Sequence, residues 1–154
     1  MCQKDYRLMS SQQTAKVAAE LLASTDPLVR IPTKKEKRNL LMAFASKNKV
    51  IYGNAFDAVR LQKNIDLNDI ESVIHNIDCI TLIEVKSTSK ENIDGSFSGY
   101  FFGLTTAELL VAQNLGDKYR FIFVNTLTGG CMELKLNEIF AKAKGIYPQW
   151  SISF

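Results

Sequence analysis

Apolar residues recur at helical spacing in some stretches of the chain and form short strand-like blocks in others. In residues 10–24, "SSQQTAKVAAELLAS", Val17, Leu21 and Leu22 share one face of an Ala-rich background, which predicts a helix. Pro27 and Pro32 break it. Thr33 then stands as an N-cap with Glu36 three positions on, a capping box that opens the helical run "KKEKRNLLMAFAS". "KVIY" and "NAFDAVRL" read as strands flanking a turn at Gly53 and Asn54. Residues 62–76 are polar, with Leu67, Ile70, Val73 and Ile74 spaced for a short helix. An apolar strand follows at 79–88, then a connection, "KENIDGSFSG", and a short strand at 100–104, "YFFGL".

Thr105 and Glu108 make a second capping box, and its helix runs to Gly116. "YRFIFV" at 119–124 is a strand, "CMELKL" pairs back on it past the turn "LTGG", and "NEIFAKAK" is a helix capped by Asn137 and closed by Gly145. A helix of about ten residues between strands can return the second strand parallel to an earlier neighbour. The expected fold is therefore α/β: a central mixed sheet with helices on its faces.

Composition narrows the class. The 154 residues are 46% hydrophobic and 23% charged, which suits one domain with a sizeable core. Residues 1–32 read as an N-terminal helical extension, about 33–125 as the core, and 126–154 as a C-terminal hairpin and helix. No apolar run approaches the ~20 residues that span a bilayer, and "MCQKDYRLMSSQQ" carries no apolar signal core. Cys2, Cys79 and Cys131 are an odd set without CxxC spacing, so reduced thiols in a cytoplasmic protein without membrane partners are expected. His75 is the only histidine, which removes zinc sites built on paired histidines. There is no GxSxG elbow and no Gly-rich phosphate loop, so no nucleotide cofactor is expected. The net charge of +3 permits a polyanionic partner without indicating one.

The strand "ITLIEVKSTSK" carries the chemistry. Side chains alternate along a strand, so Glu84 and Lys86 share a face with Ile80 and Leu82, while Ile83 and Val85 point the other way. Opposite charges where a strand leaves the core make either an ion pair of small net value or part of a phosphodiester-cleaving site. In the second case a carboxylate holds a divalent cation and a lysine orients water or meets phosphate charge, its own pKa pushed down by the cation.

Glu-Val-Lys at the end of a hydrophobic strand, with an aspartate on a neighbouring strand, resembles the PD-(D/E)XK motif of restriction-endonuclease-like nucleases. That family's core of helix, three-stranded meander, helix and strand matches the order read from about Thr33 to Asn125. "EVKSTSK" followed by "FFGLTTAELLVAQNLGDKYRFIFV" is similar to the same region of Mrr-like restriction enzymes. The resemblance implies a metal-dependent DNA endonuclease of restriction type, using Mg²⁺ with Mn²⁺ as substitute. Asp57 and Glu84 would bind the metal with the backbone carbonyl of Val85. Lys86 would position the hydrolytic water and stabilise the pentacovalent transition state. Phe56 stands where the family name has proline.

Asp57 is the first choice for the leading acid, because Asp78 lies six residues before Glu84 on the same strand, roughly 20 Å away. Asp66 or Asp69 takes its place if the 62–76 segment forms the first meander strand. Glu36 and Glu20 are candidates for a further acid that many members take from the preceding helix, and they also read as capping or surface residues. Lys34, Lys35 and Arg38, with Ser87, Thr88 and Lys90, are candidate phosphate contacts. Cutting both strands of DNA with one site per chain calls for a homodimer.

Simpler readings stand beside these. The alternative function is a non-catalytic DNA-binding module or a regulatory partner that keeps the fold, with Glu84 and Lys86 as a plain ion pair. Glu108 reads as a capping residue, and Phe101 with Phe102, like Phe121 with Phe123, as core. Trp150 is expected to pack as part of a final strand or extension, and His75 to sit at the surface or half-buried without a task.

Overall fold

A computed structural model of the chain describes residues 11–154. Residues 1–10 of the polar lead-in, Cys2 among them, lie outside the described residues. In chain order the elements are α1 (Ser11–Thr25), β1 (Val29–Arg30), α2 (Lys34–Ser46), β2 (Ala58–Leu61), α3 (Ile70–His75), β3 (Ile80–Thr88), α4 (Thr106–Leu115), β4 (Tyr119–Asn125), β5 (Cys131–Leu134) and α5 (Leu136–Lys142). The strands form one sheet in the order β1-β2-β3-β4-β5. β1, β2 and β3 pair antiparallel, β4 returns parallel to β3 through α4, and β5 folds back antiparallel on β4. The fold is thus mixed α/β, with a five-stranded mixed sheet flanked by helices.

Each sheet face carries its own core. Ile80, Leu82, Phe121 and Phe123 pack against Leu40, Ala43 and Phe44 of α2 and Val111, Ala112 and Leu115 of α4. Ile83, Val85, Ile122 and Val124 meet Ala18, Ala19 and Leu22 of α1 on the other face. β3 is therefore buried on both sides along its first half, where Thr81 is the polar exception, and each fully buried aliphatic there stabilises the fold by about 1.5–3 kcal/mol. Among the described residues no helix is long and apolar enough to cross a membrane, and Cys79 and Cys131 are free thiols.

Both capping boxes form. Thr33 and Thr105 accept from the amides of Glu36 and Glu108, whose carboxylates accept in return from the cap amides. At α5 the cap is Lys135 rather than Asn137: Glu138 accepts from the Lys135 N–H at 2.7 Å, and the helix closes at Ala143 rather than Gly145.

Two expected strands are absent. Residues 49–52 form a connection, because α2 ends in a tight turn at Asn48, whose φ is 58°, and no strand lies beside it. Residues 100–104 hold an in–out alternation without a ladder: Tyr100 and Phe102 pack on Phe123 while Phe101 points outward and is 80% exposed, not core. Trp150, 89% exposed, belongs to no strand. β1 was not legible, since two residues between prolines show no pattern, and prolines confine a strand to a sheet edge.

Candidate active site

β2 pairs with β3 only from Ile80 to Ile83, whereas β4 accompanies β3 to Thr88. The second half of β3 therefore has an open flank where β2 stops. Asp57 immediately precedes β2 at this notch. Its N–H donates to the Ile83 carbonyl at 2.8 Å, although the ladder registers Ala58 with Ile83, so two residues oppose one as in a β-bulge. The bulge re-aims the side chain: Asp57 Oδ2 accepts from the Val85 N–H at 2.9 Å. A carboxylate thus occupies the place of the missing strand, in the plane of the sheet. The N–H and C=O of one strand residue project to the same edge, so the Val85 carbonyl faces this notch too.

The segment that delivers Asp57 is pinned by side chains from two other elements. Lys37 of α2 donates from Nζ to the Gly53 carbonyl at 2.8 Å and the Phe56 carbonyl at 2.7 Å, and lies 4.6 Å from the centre of the Phe56 ring. Buried Tyr119 donates its hydroxyl to the Ala55 carbonyl. Such support from surrounding elements is what holds a functional group in a fixed position.

On the α2/α4 face, Lys86 Nζ lies 3.0 Å from Glu84 Oε1 and 2.8 Å from Glu108 Oε2. Glu84 is only 7% exposed and Glu108 4%. Burial pushes the Glu84 carboxyl up, the nearby Asp57 pushes it further, Lys86 draws it back and Glu108 adds to the rise, leaving it at about 8. Burial works against the charge on Lys86, but Glu84 and Glu108 outweigh it, so its pKa is raised rather than pushed down. Lys37 is lowered by burial against the opposing pull of Asp57 and Glu84. Tyr119 is raised by burial and by the charges of Glu84, Glu108 and Asp57. Three carboxylates and two lysines thus share one buried neighbourhood.

Asp57, Glu84, Val85 and Lys86 are brought together here. Asp66 and Asp69 are not on a strand: the 62–76 segment is loop followed by α3, with Asp66 accepting from the Asn68 N–H and Asp69 capping α3. Asp78 is exposed just before β3 begins, where its carbonyl accepts from Lys118. Glu36 is buried in its capping box, paired with Arg30 at 2.6 Å and close to Asn68. Glu20 is exposed on α1, pairs with Lys16 at 3.9 Å, and lines a groove of about 340 Å³ with Asp57, Ala19 and Ile31. Lys34, Lys35, Arg38 and Lys90 are exposed, Ser87 is half-buried with its carbonyl bonded to Tyr100 Oη at 2.7 Å, and Thr88 is buried. His75 is exposed.

Sequence reasoning missed Lys37 and Tyr119 and gave Glu108 only half its role. The signal was present in the helical spacing. Lys37 shares a stripe with Leu40, Leu41 and Phe44, and Glu108 with Val111, Ala112 and Leu115. A charged residue on the buried face of a helix needs a buried partner. Compared with family models, curated proteins and solved structures, the chain matches none.

Proposed function

We propose that this protein is a metal-dependent DNA endonuclease of the restriction-endonuclease-like, PD-(D/E)XK type, of the Mrr-like branch and acting as a homodimer. The observation that carries the reading is the meeting of Asp57, Glu84 and Lys86 at the notch where β2 leaves β3. The order of β1, β2, β3, α4 and parallel β4 agrees with that family's core, with α2 and α3 inserted between the meander strands.

The donor set suits Mg²⁺ or Mn²⁺. Among the described residues no three His, Cys, Asp or Glu side chains stand together as a ready metal site. Mg²⁺ asks for less, usually one or two carboxylates completed by water and substrate phosphate. Asp57, Glu84 and the Val85 carbonyl are hard oxygen donors; burial raises the pKa of Glu84 and the nearby Asp57 raises it further. When bound, the ion supplies an acidified water and neutralises charge on the phosphate oxygens. Glu84 contributes a carboxylate that is costly to ionise without a cation beside it. Lys86 contributes a fixed ammonium that meets the non-bridging oxygens of the pentacovalent state and orients the attacking water. Lys34, Lys35 and Arg38 contribute phosphate contacts that position DNA without reading its sequence.

One observation favours the alternative, a non-catalytic DNA-binding module or regulatory partner. The Glu84–Lys86–Glu108 network is complete as it stands, and among the described residues no buried side-chain polar atom lacks a partner. Incubation with duplex, single-stranded and branched DNA in Mg²⁺ or Mn²⁺ decides between the two. Cleavage that disappears in Asp57→Asn, Glu84→Ala and Lys86→Ala, with folding intact, supports the nuclease. Absence of cleavage on every substrate, with a melting temperature indifferent to Mg²⁺, supports the module.

A further inference from the structure

The two acids that grip Lys86 are held in different ways. Glu84 stands on β3 beside the notch where Asp57 and the Val85 amide meet, so on the nuclease reading it is the acid that would turn to a metal. Glu108 stands on α4 and is fixed from a second side: its Oε2 accepts from the Thr105 N–H at 3.1 Å while accepting from Lys86 Nζ at 2.8 Å. The helix behind it cannot shift freely, because Val111, Ala112 and Leu115 on the same stripe are buried in the core. A carboxylate that turns toward a cation releases its share of the ammonium, and a long lysine side chain released in this way would recover its rotamer freedom.

We infer that Glu108 is the positioning residue for Lys86, retaining the ammonium in place when Glu84 gives its carboxylate to a divalent cation. The inference rests on the nuclease reading and adds a fourth side chain to its site. It separates two jobs in one residue, since the same carboxylate caps α4 and tethers the lysine.

The substitution Glu108→Gln isolates the second job. Glutamine serves at the third helical position of a capping box, so the cap survives while the charge that tethers Lys86 is lost. Two measurements are made on the full chain: steady-state cleavage of a DNA that the wild type cuts, in saturating Mg²⁺, and acylation of Lys86 by an amine-reactive reagent in Mg²⁺ without DNA, read by peptide mass mapping. E108Q is expected to lose about 10²-fold in kcat, the scale of a misplaced reacting group, with KM for DNA unchanged. Lys86 in E108Q is expected to be acylated several-fold faster than in wild type. Wild-type kcat and wild-type labelling in E108Q overturn the inference, as does a change confined to KM. If the wild type cuts no DNA, the nuclease reading fails separately. The labelling then decides the tether alone, faster acylation supporting it and equal acylation overturning it.

Discussion

Replacing Glu84 by glutamine should make the metal-free protein more stable, by an amount that grows with pH. The carboxyl ionises near 4.5 in an unfolded chain and near 8 in the folded one. Between those values the folded state holds a proton that the unfolded state has released, so stability falls as pH rises and levels off above about 8. At about 1.4 kcal/mol per pH unit, the penalty against a permanently neutral amide is on the order of 3 kcal/mol at pH 7 and 5 kcal/mol above pH 8. Glutamine keeps the shape and an oxygen that accepts from Lys86 Nζ. For a chain of this size each kcal/mol moves the melting temperature by about 2–4 °C, so E84Q should melt roughly 6–12 °C above wild type at neutral pH and converge with it near pH 4.5. Denaturant melts of both proteins in EDTA from pH 4.5 to 9 measure the difference. Parallel stability curves, or a wild type more stable than E84Q at pH 8, would refute the argument that burial and Asp57 strain this carboxylate.

Mg²⁺ should raise the melting temperature of the wild type more at pH 8 than at pH 6 and leave E84Q unmoved; equal shifts in both proteins would place the ion elsewhere. Lys37→Met should cost about 1–3 kcal/mol, because two carbonyls in the Asp57 segment lose their donor, and should slow cleavage as well; urea titration and a timed digest check both. Lys34→Ala/Lys35→Ala should lower the salt slope of DNA binding by about 1.8, two phosphate contacts' worth, as followed by fluorescence anisotropy across a salt series, and an unchanged slope removes that patch. Arg60 bonds Glu133 of β5 through Nη1 and Nη2 and Asp26, beside β1, through Nε, so Arg60→Met should destabilise by about 1–2 kcal/mol, an effect that a Glu133→Gln background should shrink.

What could be read in the sequence followed from periodicity and capping. α1, α2, α3, α4, β3 and β4 announce themselves through repeated spacing, and both Thr–Glu capping boxes formed where expected. The elements misjudged are those whose shape depends on partners. Val50 and Tyr52 alternate with buried Ile51 as in a strand, yet no neighbour pairs with them. The facing of Glu84 and Lys86 followed from alternation alone, and Asp57 was reached by excluding distances along one strand. The bulge that aims Asp57 at the Val85 amide, and the grip of Lys37 and Tyr119 on its approach, depend on contacts between segments far apart in the chain. No local pattern encodes those, although a lysine and a glutamate on otherwise apolar helical stripes marked where to look.

The crossover through α4 has a kinetic corollary. β3 and β4 pair in parallel only after the thirty residues between Thr88 and Tyr119 have closed a loop, and closures of that kind come late and slowly in folding. Burial is the largest cause of the raised Glu84 pKa and Glu108 adds to it, and β4 and α4 supply their share of both only once that closure is made. That share of the penalty is then felt after the rate-limiting barrier. Relieving it in E84Q should lengthen the lifetime of the native state while leaving the refolding limb of a chevron plot almost where it was.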